Sequence, residues 1–214
     1  MIALFLSAFV TLFVVIDPPG CAPIFASLTT GASDAHRRVM AIRSTMIASV
    51  LLLVFALIGE KLLDTLGISL DAFRIAGGIM LFLIALEMVF EKRTQRREDR
   101  AEEISKKAQE EHRDIESEDI SVFPMAIPMI AGPGSIATTM LLVSRSQGLQ
   151  ESAVVIAALL SVLVLTLAAL LAAGPIMRVL GPKLEAMITR VLGVLLAALA
   201  AQFVIDGIKK SFGL

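Results

Sequence analysis

Tryptophan and tyrosine are absent from the 214 residues, and cysteine occurs once, as Cys21. A single cysteine excludes an intramolecular disulfide and any metal site built from several thiolates. His36 and His112 stand alone, without partners at ligand spacing, so neither a metal nor a cofactor is expected. Without Trp or Tyr, interfacial anchoring in a membrane would fall to the 11 Phe residues and to Lys and Arg. Charge is also thin: 18% of residues are charged and 57% hydrophobic, with mean hydropathy +0.84. Soluble domains hold roughly 45–50% apolar residues, so this composition argues against a water-soluble monomer. A net charge of -1 offers no basic face for nucleic acid.

What is present divides into two compositions. Residues 91–119 carry 19 of the 39 charged side chains, 8 basic and 11 acidic, with almost no aliphatic residues. That stretch cannot bury a core and reads as a linker, with Glu102 and Lys106 at helix spacing. Elsewhere six apolar stretches, 2–29, 40–60, 73–90, 122–144, 152–177 and 187–208, approach the length of about 20 residues that crosses a bilayer core. The first is read as a span rather than a signal peptide, because Met1 to Ile16 has no basic residue and Pro18 and Pro19 occupy the place of a cleavage site. The loops after spans 1, 3 and 5 hold 14 Lys and Arg against 5 on the other side. The positive-inside rule then puts the 91–121 loop in the cytoplasm and both termini outside.

The chain also resembles itself. Ile16-Asp17-Pro18-Pro19-Gly20 aligns with Ile130-Ala131-Gly132-Pro133-Gly134 at an offset of 114, and Leu66-Gly67 with Leu180-Gly181 at the same offset. Arg74-Ile75-Ala76-Gly77 then aligns with Arg190-Val191-Leu192-Gly193 at offset 116. Collinear motifs of this kind indicate a duplication. The expected architecture is all-α: six transmembrane helices as two inverted three-helix repeats, residues 1–90 and 122–214, joined by the charged linker 91–121. Three spans per repeat invert the second copy, and broken spans at matching positions point to a secondary transporter with its site at the repeat interface.

The breaks carry the candidate site. Pro18 and Pro19 remove backbone donors and crowd the preceding turn, while Gly20 is read as the residue with unusual backbone freedom. Asp17 then lies roughly 22 Å along a helix from Met1, at mid-membrane depth, where an acidic residue costs about 2.5–3.5 kcal/mol. The start of the following half-helix is expected to offer amide groups to a polar or anionic partner. Gly132, Pro133 and Gly134 do the same in span 4, followed by the hydroxyls of Ser135, Thr138 and Thr139. The substrate-binding set is Asp17, Pro18, Gly20, Gly132, Pro133, Gly134, Ser135 and Thr138.

At these residues the sequence resembles the MarC family of bacterial multi-pass inner-membrane proteins, grouped with the LysE-type exporters. The resemblance is carried by Asp17-Pro18-Pro19-Gly20 with Pro23 and Phe25, by Arg74-Ile75-Ala76-Gly77-Gly78, by Ala126-Ile127-Pro128 followed by Gly132-Pro133-Gly134, and by Gln202-Phe203 with Ile205, Gly207 and Ile208. It implies a six-span inner-membrane carrier of small polar metabolites, neutral amino acids foremost. In that family the residue at position 17 is Asn in some members, which implies that a polar cap suffices there. Position 21, Cys here, is often Asn.

Other residues weigh less. Glu87 is read as snorkelling, Gln202 and Asp206 as sharing a face at the outer end of span 6, and Arg74 and Arg190 as interfacial anchors. Gly77, Gly78 and Gly193 read as close helix packing. Ser44, Thr45, Ser49, Ser161 and Thr166 can bond their own helix backbone, and His36 and His112 read as loop residues. An enzyme acting on lipid is not expected, because Asp17 is the one deep ionisable group. The alternative function is a non-transporting scaffold working through residues 91–119. The partners expected are the bilayer and a small molecule, and a homo-oligomer is compatible with both readings.

Overall fold

A computed structural model describes residues 1–90 and 119–213, with the backbone alone for 175–186. Most of the charged linker and His112 therefore lie outside the described residues. The elements in chain order are α1 (Ile2–Ile16), α2 (Pro18–Leu28), α3 (Asp34–Thr65), α4 (Leu70–Val89), α5 (Ser121–Ile130), α6 (Pro133–Ser144), α7 (Leu149–Leu171) and α8 (Ala173–Phe212). No strand occurs among the described residues.

Local chemistry sets most boundaries. The Ser33 and Ser69 hydroxyls cap α3 and α4, accepting from the His36 N–H at 3.3 Å and the Ala72 N–H at 3.2 Å. His36 thus sits in the first turn of a helix rather than in a loop. Gly67, at φ 70°, ends α3, and the Ile68 N–H reaches back to the Leu63 carbonyl at 2.9 Å to satisfy an orphan acceptor. The matching turn at Leu180-Gly181 does not form; helix runs through it. The chain turns earlier, at Ala172, because Gly174 and Pro175 suit a helix start: Pro presets φ and lacks the N–H that a first turn leaves unpaired.

Span 4 departs furthest from expectation. Its irregularity is not confined to residues 132–134 but extends over the whole of α5, where the turns are wide: Met125 N–H bonds the Ile120 carbonyl at 3.3 Å and Ala131 N–H the Ala126 carbonyl at 2.9 Å. Phe123 and Ile127 have extended backbone inside it, each preceding a proline, Pro124 and Pro128. Both effects follow from proline, which lacks a donor and pushes its predecessor out of the helical region.

Five helical stretches are long and apolar enough to cross a bilayer: Ile2–Leu28 counted across Asp17, Asp34–Thr65, Leu70–Val89, Leu149–Leu171 and Met187–Phe212. The α5 and α6 pair, bent by 53°, makes up to six. Large apolar side chains face outward along them, with Met46, Leu57, Val164 and Val194 each 60% exposed or more. Apolar surface on that scale fits hydrocarbon rather than water. The chain is a multi-pass integral membrane protein.

The helices pack against one another in a dense set of pairs. α3 lies against α5 and α6, α7 against α1 and α2, α1 against α6, α2 against α8, and α4 against both α6 and α8. Among the described residues the α4 and α8 contact is the most extensive. A Cβ on Gly78 would stand 2.9 Å from the Ala200 carbonyl oxygen, on Gly193 3.1 Å from that of Ala85, and on Gly207 3.1 Å from that of Asp71. Glycines on both helices thus let the two backbones approach, as small residues do in membrane bundles. Overfilling such a contact costs about 1–3 kcal/mol.

These contacts define two ends. One end gathers the starts of α1, α4 and α7 and the ends of α6 and α8. The other gathers the end of α2, the start of α3 and the junction of α7 with α8. At this second end Arg43 pairs with Asp119 at 2.8 Å. The Ser121 hydroxyl and N–H also bond Asp119, and together with Arg43 they hold its carboxyl below the usual carboxylate range against partial desolvation.

Candidate functional site

The site begins where α1 stops. Asp17 is 2% exposed and sits in the left-handed region at φ 59°, ψ 63°. Asp and Asn tolerate this region better than most side chains. Its N–H still bonds the Phe13 carbonyl at 2.9 Å, closing α1, while its carboxylate Oδ1 accepts from the Gly20 N–H at 3.2 Å, opening α2. One residue therefore ends one helix and caps the next.

Two sequence expectations change here. The backbone freedom assigned to Gly20 is used at Asp17 instead, since Gly20 has no positive φ. What Gly20 contributes is space: a Cβ there would lie 2.3 Å from Asp17 Oδ2. The first turn of α2 is also no open amide site. Pro18 and Pro19 have no N–H, the Gly20 N–H goes to Asp17 Oδ1, and the Cys21 N–H goes to the Asp17 carbonyl at 3.0 Å. Cys21 itself is buried, its Sγ 3.5 Å from the Ile16 carbonyl.

The start of α6 is different. Gly132 is its N-cap in extended backbone, Pro133 takes the first position, and no side chain caps the turn. Gly132 is also required by space, because a Cβ would meet the Pro128 carbonyl oxygen at 2.3 Å. Gly134 packs on α4 and α1: its Cβ would lie 2.5 Å from Ile84 Cδ1 and 3.6 Å from Val15 Cγ1. Val15 is two residues before Asp17, so the start of α6 meets the end of α1.

The polar residues that follow are buried. Ser135 is 3% exposed, and Thr138 and Thr139 are fully enclosed. Ser135 shares one face of α6 with Thr138 and Thr139, at i, i+3 and i+4. Thr138 lies on the stripe between Gly134, which touches Val15, and Leu142, which packs in the cluster with Ala8; this stripe follows α1.

Among the described residues neither threonine hydroxyl has a hydrogen-bond partner. Six other hydroxyls on the apolar helices behave differently. Thr11, Ser44, Thr45, Ser49, Ser161 and Thr166 each donate to the carbonyl four residues back at 2.7–2.9 Å. That is the ordinary resource of a helical Ser or Thr in a dry environment. A buried hydroxyl left without it costs about 1–3 kcal/mol. Thr139 was legible as one of three hydroxyls after the break, yet nothing in the sequence separated it from the self-satisfied threonines.

The end that holds the start of α4 carries a tie between α6 and α8. Arg145, just past α6, pairs with Asp206 of α8 at 2.7 Å and stacks over Phe203 with its guanidinium carbon 4.5 Å from the ring centre. Gln202 donates to the same Asp206 carboxylate at 2.7 Å. Gln202 and Asp206 thus share a face as expected; they engage each other and Arg145 while Gln202 stays exposed. Arg74, read as an interfacial anchor, is instead 3% exposed and paired with Asp71 at 2.8 Å. Glu87 is half-buried in α4, and Arg190 is exposed on α8. Among the described residues no group of His, Cys, Asp or Glu could hold a metal ion.

Comparison with known proteins agrees with this architecture. The family model described as "MarC family integral membrane protein" matches residues 2–212. A UPF0056 membrane protein of Archaeoglobus fulgidus is 37% identical over 208 residues, covering 97% of this chain and 93% of the relative. One from Methanocaldococcus jannaschii is 36% identical over 205 residues, covering 96% of each. One from Buchnera aphidicola is 33% identical over 207 residues, covering 97% of each. No solved structure matches the chain. The relatives come from archaea as well as bacteria, a wider range than the bacterial inner membrane alone, and the chain belongs to the MarC family of integral membrane proteins.

Proposed function

We propose that this protein is a secondary carrier of small polar metabolites, neutral amino acids foremost, working by alternating access at a site between the end of α1 and the start of α6. The observation that carries the reading is the pair of enclosed, unpartnered hydroxyls of Thr138 and Thr139 beside a broken helix. Buried polar groups left open at mid-membrane depth are expensive, and a ligand that completes their hydrogen bonds recovers that cost.

The chemistry suits a zwitterion. The uncapped start of α6, with Gly134 and Ser135, favours a carboxylate through its amide groups and the positive end of the helix dipole. Asp17, held by Gly20 at the adjoining break, orients a polar or ammonium group through its side-chain oxygen, a role that an amide oxygen also fills. Pro18 shapes the α2 start, while Gly132 and Pro133 shape that of α6. The residues proposed to build the substrate site are Asp17, Pro18, Gly20, Gly132, Pro133, Gly134, Ser135 and Thr138, now joined by Thr139.

The carrier reading includes two inverted repeats, 1–90 and 122–214, with the termini outside and the 91–121 linker cytoplasmic. What supports the repeat is the pairing of helices: α3 on span 4 mirrors α7 on span 1, α4 on α6 mirrors α8 on α2, and α4 on α8 is its own mirror. Such repeats build alternating access around a fixed central site. The Arg145 to Asp206 tie then closes one entrance.

Binding is read by thermal unfolding of the detergent-solubilised protein with each neutral amino acid in turn. A ligand at about a hundred times its Kd stabilises by about 2.7 kcal/mol, a shift of several degrees. The expected outcome is a shift with small neutral amino acids that Gly134→Leu abolishes, since its side chain would enter the space of Ile84. No shift with any of them would remove amino acids as the substrate class.

A further inference from the structure

The end of the bundle away from the Arg145 to Asp206 tie holds a cavity that the transport site does not use. Its volume is about 310 Å³, and it lies between the end of α2, the first turns of α3 and the junction of α7 with α8. Phe25, Leu170 and Leu171 give it an apolar side, while Asp34, Arg37 and Arg38 give it a charged one. Arg37 is held in place: its Nε donates to the Thr29 carbonyl at 3.1 Å. An arginine has five donors, so four N–H groups of Arg37 remain. Among the described residues neither Arg37 nor Arg38 has an ion-pair partner, and Asp34 pairs with neither of them.

We infer that this cavity binds a phosphate group, and that the phosphate belongs to a phospholipid headgroup. Two guanidinium groups beside a cavity match the planar, multidentate recognition of phosphate that Arg provides. The single carboxylate of Asp34 leaves the lining with a net positive charge. Basic pockets between membrane helices are where anionic headgroups dock.

The lipid source follows from what adjoins the arginines. Val39, Ile42, Met46, Val50 and Val54 of α3 are all exposed, beginning one residue after Arg38. Their spacing of three and four residues makes one continuous apolar stripe. Leu171, 48% exposed, borders the cavity from α7. A headgroup seated on Arg37 and Arg38 would have hydrocarbon-facing surface directly beside it for its acyl chains. A free phosphate would gain nothing from that stripe.

The test is titration of lipid-stripped protein in detergent micelles with phosphatidylglycerol, counting bound lipid by native mass spectrometry. Wild type is expected to retain one lipid that Arg37→Ala with Arg38→Ala loses, with affinity about tenfold weaker or more, since each basic side chain near an anionic surface contributes on the order of 1 kcal/mol. Lys209→Ala with Lys210→Ala removes the same charge from α8 at the opposite end and is expected to leave binding unchanged; equal loss in both pairs would overturn the site. Diacylglycerol, which has no phosphate, is expected not to bind, and its retention would overturn the phosphate assignment. Inorganic phosphate at millimolar concentration is expected not to raise the unfolding temperature without lipid; a rise that the arginine pair abolishes would overturn the lipid source in favour of a soluble phosphate. Should the double variant fail to fold, Arg38→Ala alone is read, because that side chain is exposed and makes no hydrogen bond among the described residues; several-fold weaker lipid binding is expected, and unchanged binding overturns the inference. None of these readouts depends on transport.

Discussion

Replacing Asp17 by leucine is expected to abolish transport and destabilise the protein by about 1.5–4 kcal/mol, whereas Asp17→Asn is expected to keep most of both. The stability loss has two parts. Removing an N-cap acceptor costs about 0.5–2 kcal/mol, and holding leucine in the left-handed region costs about 1–2 kcal/mol more. Asparagine retains an oxygen for the Gly20 N–H and is well suited to φ 59°. Gly20→Ala separates packing from chemistry: its Cβ would stand 2.3 Å from Asp17 Oδ2, so it displaces the carboxylate without removing it. It is expected to fall between the other two variants. Labelled amino acid uptake into proteoliposomes and thermal unfolding of the same preparations check all three. Equal loss of uptake in Asp17→Leu and Asp17→Asn would show that the charge itself is required.

Thr138→Val and Thr139→Val are expected to move stability and binding in opposite directions. Valine has nearly the shape of threonine without the hydroxyl, and the hydroxyls have no partners to lose. Removing an unsatisfied buried group is expected to raise the stability of the empty protein by about 1 kcal/mol or leave it unchanged. If those hydroxyls meet a charged ligand group, each variant forfeits a hydrogen bond of about 1.5–3 kcal/mol, or roughly ten- to a hundredfold in affinity. Thr138→Ser and Thr139→Ser should bind within a few fold of wild type. Thr166→Val is the internal comparison, since that hydroxyl already donates to the Val162 carbonyl at 2.8 Å; its binding is expected to stay unchanged. Thermal unfolding with and without ligand reads both quantities. Normal binding by both valine variants would remove the hydroxyls from the site.

The sequence made the membrane bundle legible because a run of about 20 apolar residues has few other uses. The helix-packing role of Gly78 and Gly193 was also readable, since small residues in apolar segments mark close approach. Local side-chain bonding was readable for Ser44, Thr45, Ser49, Ser161 and Thr166, where the acceptor is four residues away in the same helix. What escaped depends on geometry across the chain. Whether Thr138 and Thr139 bond their own backbone is a rotamer choice, and both rotamers are open to helical threonine. That Asp17 rather than Gly20 takes the left-handed conformation follows from where α1 runs out of donors at Pro18. The unwinding of α5 reflects Pro124 and Pro128 acting together, four residues apart, an effect that neither proline announces alone. The burial of Arg74 depends on the close seating of α4 against α8, which no local pattern encodes.

The most direct measurement is counterflow: proteoliposomes loaded with unlabelled neutral amino acids, placed in trace labelled glycine or alanine, with wild type compared against Gly134→Leu. Transient accumulation of label by wild type and none by the variant is the expected result, since exchange through one site concentrates label without any coupling ion. Accumulation equal in both would contradict a site at the start of α6, and no accumulation of any small neutral amino acid by wild type would contradict the amino acid carrier itself.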